Sequence, residues 1–370
     1  MNKTKITEAA LSVMLAVSCA AVCIMHYSEV VDQTCRSVER CLFSVIPSLY
    51  APMFTACLIT GSGLHNIIGK IFSPLSRYVF RLPPEIFAVF LISNVSGYPS
   101  GIKLLDGLRK NGKITDEQFR DYSVFCFSAG PAFVAGTVSS AVSASVNIGL
   151  IIYISTFTAN IIIALIKGTG RPVPERSLSK TEISGKILVD SAAAASSGML
   201  SMCTMITVFA VIKVIAVNTG IINAAVLLTG NIFGTGHVSS ESVVLSFLEI
   251  TNISGIKIYS REIIPLMSAI FSFGGICVIS QISYISDGKI NILKFAAYRV
   301  LASLLSYFIS LALCRIFIKD ICISASTFEL HSSDHSLIPS VILLIMSVML
   351  TSFHSSADKN KYFLSERYHD

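Results

Sequence analysis

The chain has 370 residues, 53% apolar and only 14% charged, with a mean hydropathy of +0.71, whereas an ordinary soluble domain is about 25% charged. Such a composition excludes a water-soluble globule and predicts a polytopic membrane protein. The formal net charge of +6 does not call for a nucleic-acid partner, because the basic residues sit in short loops between apolar runs, where membrane topology accounts for them.

A bilayer crossing needs about 20 apolar residues. In chain order, runs of that size fall at 8–26, 41–60, 122–142, 147–166, 198–217, 263–285, 295–317 and 337–354. The first follows Lys3 and Lys5 but is long for a signal peptide and lacks a convincing cleavage site, so it reads as a transmembrane helix. Two further apolar segments, 86–105 and 243–258, reach a Gly-containing turn after about ten residues, too few to cross. They read as re-entrant hairpins, a form tolerated where the backbone is buried in protein or lines a cavity. The expected fold is therefore all-α and polytopic, with about eight transmembrane helices plus two re-entrant hairpins.

Loop charges support this count. With a cytoplasmic amino terminus and both hairpins re-entrant, the cytoplasmic side collects 20 of the 28 Lys and Arg residues, while Arg36, Arg40, Lys257, Arg261 and Lys319 stay opposite. The same assignment sends the two hairpins in from opposite faces, which makes the halves an inverted repeat. The expected organisation is 1–40, an amino-terminal transmembrane helix and loop; 41–166, a first repeat; 167–186, a cytoplasmic inter-repeat loop rich in Gly and Pro; 187–317, a second repeat; and 318–370, a last helix and polar tail. Whether 221–236, with a short apolar start and a Gly-rich end, adds a helix stays open.

The repeat carries two shared phrases. Ser93-Asn94-Val95-Ser96-Gly97 returns as Thr251-Asn252-Ile253-Ser254-Gly255, and Phe127-Ser128-Ala129-Gly130-Pro131 returns as Phe271-Ser272-Phe273-Gly274-Gly275. Asn94, Ser96, Asn252 and Ser254 offer donors and acceptors at an unwound backbone, and Gly97 and Gly255 permit the turn and a close approach to it. The alternative for these side chains is helix capping or helix–helix glue. Breaks at Gly130-Pro131 and Gly274-Gly275, with Ser128 beside the first, expose half-helix amino termini suited to an anionic or carbonyl-rich ligand; the alternative is a simple kink. Glu249 is the sharpest single residue, a carboxylate in an apolar run where the first repeat has Leu91. Intramembrane carboxylates are costly and by default functional; a structural ion pair, with Lys213 as partner, is the competing account. The ten cysteines form no CxxC pair and read as packing residues. No nucleophile, phosphate-loop or zinc motif is present, so no enzyme and no resident cofactor or metal is expected.

With these residues laid out, the chain resembles the Gate (nucleoside-recognition) domain family, related to the concentrative nucleoside transporters, and within it the sporulation membrane proteins. The resemblance covers roughly 40–315 and rests on SGYPSGIKLLDGLRKNGKI (96–114), FCFSAGPAFVAGTV (125–138), LEITNISGI (248–256) and GGICVISQ (274–281). It implies a transporter whose substrate site is built from hairpin tips and helix breaks, with Glu249 and Asn252 corresponding in kind to an acidic-plus-Asn binding pair. It further implies a bacterial membrane location at the outer forespore membrane and dipicolinic acid as the substrate, with a nucleoside or nucleobase as the alternative. A non-transporting scaffold acting through basic loops is a third reading. The expected partners are thus a small anionic or nucleoside-like solute, the lipid bilayer and a second copy in a homo-oligomer, with a proton or sodium as the candidate coupling ion.

Overall fold

The structure, a computed structural model, describes residues 17, 19–141, 146–169, 185–233, 237–256 and 263–318. The described residues are predominantly helical, with no strand among them. Among the described residues five helices are long and apolar enough to cross a membrane: Tyr27–Gly61 (α1), Ile148–Gly168, Gly185–Asn218 (α8), Ile263–Ile285 and Ile292–Phe317 (α13). They coincide with the expected spans at 41–60, 147–166, 198–217, 263–285 and 295–317. The expected spans at 8–26, in part, and 337–354 lie outside the described residues.

The remaining expected span, 122–142, is not one helix over its described residues. Asp116–Ser123 (α5) ends, residues 124–130 run without helix, and Pro131–Ala141 (α6) begins again. Pro131 has no N–H to continue the ladder and suits a helix start, and the freed backbone groups find partners elsewhere. The Phe127 carbonyl accepts from Asn160 Nδ2 at 3.0 Å and the Val124 carbonyl from Arg299 Nη1 at 3.0 Å. A second departure is at 27–40, expected as a loop and found helical, running through a π-turn at Cys41–Val45 into the rest of α1. Its polar face carries an Arg36–Asp32 pair at 2.9 Å, one turn apart, and it packs on α8.

Between these landmarks lie Leu64–Ile71 (α2), Pro84–Ser96 (α3), Ser100–Lys110 (α4), Val146–Gly168 (α7), Ile221–Phe233 (α9), His237–Leu248 (α10), Ile263–Phe273 (α11) and Gly275–Ile285 (α12). The stretch 221–236 thus contributes a helix through Phe233, with 234–236 outside the described residues. The element order repeats. A long helix (α1; α8) and a short one (α2; α9) precede a helix running into the shared Asn phrase (α3; α10), an interrupted pair (α5 and α6; α11 and α12) and a long apolar helix (α7; α13). The first hairpin is complete as α3, a turn at Gly97-Tyr98-Pro99, and α4. In the second, a 3₁₀ turn at Ile250–Gly255 follows α10, and residues 257–262, which include the end of the hairpin expected at 243–258, lie outside the described residues.

The centre of the packing is α7, α11 and α13. Helix–helix association in lipid gains nothing from hydrophobicity and depends on close contact and hydrogen bonds. Here serines supply both: Ser268 Oγ donates to Ser310 Oγ at 2.9 Å, Ser306 Oγ to the Ser268 carbonyl at 3.2 Å and Ser303 Oγ to the Ala269 carbonyl at 2.8 Å. Around α3 a phenylalanine cluster closes the first half, with Phe90 stacked on Phe157 at 5.9 Å and edge-on to Phe125 at 5.7 Å.

Candidate functional site

The two interrupted segments meet. Gly97 turns the first hairpin with φ +83°, and a Cβ on it would lie 2.9 Å from the Gly130 nitrogen, so hairpin and helix break are in backbone contact. In the second half a Cβ on Gly275 would lie 3.2 Å from the Ile250 nitrogen, the same juxtaposition of turn and break. Within the first half Tyr98 stacks on Phe127 at 4.8 Å, and across the halves the Phe127 ring occupies the space that a Gly274 side chain would take.

At this junction lies an enclosed cavity of about 10 Å³, whose walls include Tyr98, Phe133, Glu249, Thr251, Cys277 and Gln281. Two buried polar atoms on these residues have no hydrogen-bond partner, Tyr98 Oη and Gln281 Oε1. Buried polar atoms in native proteins are overwhelmingly paired, and here two residues that line the same cavity, one from each half, each carry an unpaired one. The room is that of about one water.

Glu249 is 5% exposed and caps the 3₁₀ turn. Its Oε1 accepts from the Thr251 N–H at 2.8 Å, and its Oε2 from the Thr251 hydroxyl, Asn252 Nδ2 at 3.2 Å and Arg40 Nη1 at 3.5 Å. Arg40 also donates to Thr251 Oγ1 at 2.9 Å and Asn252 Oδ1 at 3.3 Å. The expected partner Lys213 instead donates to Gln33 at 3.3 Å, so the ion pair exists but with a different cation. Glu249 and Asn252 do share a face, through a 3₁₀ turn rather than an α-helical arm. A buried carboxylate must be paired to be tolerated, and the α1 arginine does this from 209 positions away in sequence.

The remaining expected residues are placed as follows. Asn94 is fully buried; its Nδ2 donates to the Phe90 carbonyl at 2.8 Å and its Oδ1 accepts from Asn160 Nδ2 at 3.2 Å. Ser96 Oγ donates to the Ile92 carbonyl at 2.9 Å and bonds Ser100 Oγ, and Ser128 Oγ donates to the Ala129 carbonyl at 3.2 Å. Ser254 is exposed and donates to the Thr251 carbonyl at 3.0 Å, while Gly255 faces Ser242. The structure therefore gathers Asn94, Gly97, Ser128 and Gly130 at one break and Glu249, Asn252 and Gly275 at the other, with Gly274 between them and Ser254 outside.

Sequence reasoning missed Arg40, Tyr98, Asn160, Gln281 and Arg299. Arg299 is the largest fully buried side chain. It donates to the Ser272 and Val124 carbonyls and to Asn160 Oδ1, and lies over the Phe127 ring at 4.7 Å, joining the second break to the first. An Arg in the apolar run 295–317 was the available signal, since intramembrane charge is functional or structural by default.

Comparison with known proteins finds a sequence similarity over part of the chain. The chain is 26% identical over 121 residues to the sporulation integral membrane protein YlbJ of Bacillus subtilis (strain 168). The matched stretch is 33% of this chain, and it spans only 30% of the length of that relative. No family model matches, and no solved structure matches. The similarity and the apolar helices together support an integral membrane protein.

Proposed function

We propose that the protein is a secondary transporter of a sporulation membrane that moves a small aromatic dicarboxylate, dipicolinic acid, by alternating access at the junction of the two interrupted segments. The observation that carries this reading is the enclosed cavity where Tyr98 Oη and Gln281 Oε1, one from each half, stand unpartnered beside Glu249. Convergent polar atoms from two discontinuous elements are how repeat-built transporters hold a solute near the midplane. Similarity to a sporulation membrane protein supports a role in sporulation, and the location proposed with it is the outer forespore membrane. No resident cofactor takes part, and the protein is not an enzyme.

At about 10 Å³ the cavity does not admit an organic solute in this conformation. Loading requires the junction to open, and the Arg40–Glu249–Thr251–Asn252 cluster ties the second break to α1. Separating a buried ion pair without compensation costs about 3–5 kcal/mol. Opening is therefore favoured only when a solute or a coupling ion, proton or sodium, takes over the interactions of Glu249, which is the differential binding that a conformational cycle needs.

The test is substitution of Asn94→Leu, Glu249→Gln and Asn252→Leu, with dipicolinate accumulation measured at normal protein level and localisation. Loss of accumulation is expected for Glu249→Gln and Asn252→Leu, with a smaller defect for Asn94→Leu; normal accumulation in all three would sink the site. Competition by uridine or adenosine would move the substrate to the nucleoside class. A scaffold working through basic loops is disfavoured by charge placement: Arg109 and Lys110 are committed to Asp106 at 2.6 and 2.8 Å and reach Asp287 at 3.2 and 3.3 Å. Charge reversal at Arg109, Lys110 and Lys113 that abolished function while the junction variants kept it would favour the scaffold.

A further inference from the structure

Two helices lead away from the junction toward the face that the basic-residue count assigns to the cytoplasm. Helix α4 begins at Ser100, beside the Tyr98 turn, and α12 begins at Gly275, at the second break. Each runs 11 residues, about 16 Å, and the two touch. Their far ends share one charge cluster, and its contacts across the halves are reciprocal. Asp287, just beyond α12, accepts from Arg109 at 3.2 Å and Lys110 at 3.3 Å of the first half, while Lys289, two residues on, pairs with Asp116 of the first half at 3.1 Å. Behind them the buried Asp106 holds Arg109 at 2.6 Å and Lys110 at 2.8 Å, and the Arg109 guanidinium lies over the Phe119 ring at 5.4 Å. Both cations are thereby presented to Asp287.

Two features set this cluster apart from ordinary surface pairing. The first is where Asp287 stands. Helix α12 ends in a Schellman turn, with the Asp287 N–H on the Tyr284 carbonyl at 3.2 Å and the Gly288 N–H on the Ser283 carbonyl at 3.1 Å. Asp287 takes its left-handed position with φ +49°, a place usually filled by Gly and sometimes by Asn. The chain puts a carboxylate where a glycine would end the helix more easily, and the side chain reaches the other half. The second is strength. Lys110, Asp116, Asp287 and Lys289 are each about half exposed, so their pairing is weak and screened by salt. The Arg40–Glu249 pair is far less exposed. A closure that parts in every cycle needs contacts that separate at small cost, and the reciprocal pairs are of that kind.

We propose that the turn from Asp287 to Lys289 is a latch that closes the cytoplasmic end of the junction by holding α12 against α4 and α5. The inference rests on the reading of the junction as the transport site and names the contacts that control access to it from that face. Parting of Asp287 from Arg109 and Lys110, and of Lys289 from Asp116, frees α12 to move from α4 and opens the cavity wall at Cys277, which is 1% exposed in this conformation.

Cys277 makes the test independent of any solute. The full-length protein in detergent micelles is reacted with a maleimide, and modification of each cysteine is followed by peptide mass spectrometry in wild type, Asp287→Asn, Lys289→Gln and the double variant. Asn suits the left-handed position, so Asp287→Asn removes the charge and keeps the turn. Cys277 should react about fivefold faster in either single variant, the equilibrium factor for the loss of exposed pairing, and faster still in the double variant. Cys314, buried near the other end of α13, should keep its rate, which separates opening of the latch from general loosening. Added NaCl should speed Cys277 alkylation in wild type and leave the double variant unchanged, because the pairs that salt screens are gone. An unchanged Cys277 rate in both single variants, a parallel rise at Cys314, or salt dependence that persists in the double variant would each overturn the latch. If Cys277 responds as expected while Glu249→Gln leaves dipicolinate accumulation normal, the closure stands and the transport reading falls; the reverse pattern removes the latch alone.

Discussion

Individual residues hold the two helix breaks in place, and Gly97 shows how little tolerance they leave. At φ +83° and ψ 169° its backbone is in a region that side chains rarely enter, and a Cβ would meet the Gly130 nitrogen at 2.9 Å. Gly97→Ala should therefore destabilise by about 3 kcal/mol, read as a lower melting temperature in detergent. Arg299→Met leaves the Ser272 and Val124 carbonyls and Asn160 Oδ1 without their buried donor, at about 1–3 kcal/mol for each orphan. A loss of folded, monodisperse protein is expected by size-exclusion chromatography. Arg299→Lys should recover only part of it, because a point charge cannot reproduce the guanidinium fork. An unchanged elution profile in Arg299→Met would show that these bonds hold nothing. At this scale the shared phrases mark the segments that meet at the junction, while only some of their side chains face it. Gly97 and Gly130 are in contact at the first break and Glu249 caps the second turn, whereas Asn94 and Ser96 divide their polar atoms between their own helix and Asn160 and Ser100 on neighbouring ones. The orphan at the first turn is Tyr98, whose hydroxyl carries no periodic or repeat signature.

At the scale of elements, the ends of α4, α5 and α12 are bound by charge. Asp116 in the first turn of α5 pairs with Lys289 at 3.1 Å and with Arg109 at 3.4 Å, and Arg109 also reaches Asp287, just beyond α12. The Lys289 and Arg109 bonds hold the Asp116 carboxyl below its usual pKa. A carboxylate with a lowered folded-state pKa contributes stability above its unfolded value and loses it as pH falls through the lowered one. Acidification below the ordinary carboxylate range should therefore weaken the tie between the halves, and Asp116→Asn should flatten that part of the melting-temperature profile. The effect should shrink in high salt, because the group is exposed and screened; a profile identical in wild type and variant would remove Asp116 from the account. Element existence was legible from apolar run length, and five spans fall where expected. The interruption at 124–130 was signalled by Gly130-Pro131, but its extent was not, because the groups that satisfy it come from Asn160 and Arg299 in other helices. The helix at 27–40 was hidden by its polarity: a charged amphipathic segment docked on α8 reads, run by run, as a loop.

For the whole molecule, the repeated element order is the main organising fact, and inverted orientation is its testable extension. Single-cysteine variants at Leu108 and Ile258, labelled from either side of sealed vesicles, should react from opposite faces; labelling of both from one face would refute the inversion. The order of elements was readable because each half repeats its punctuation, glycine by glycine. The contacts between halves were not, since Arg40 meets Glu249 and Arg299 meets Val124 across long stretches of chain, and nothing in a local pattern encodes a partner so distant.

The Phe127 ring lying where a Gly274 side chain would stand also has a meaning in time. A chain made from its amino terminus presents the first half, ring included, before Gly274 has been synthesised. The later half must then close onto a surface already shaped, as a cast closes on its mould. Expressed as two separate fragments, the halves should recover assembly only when the first is present while the second is being made.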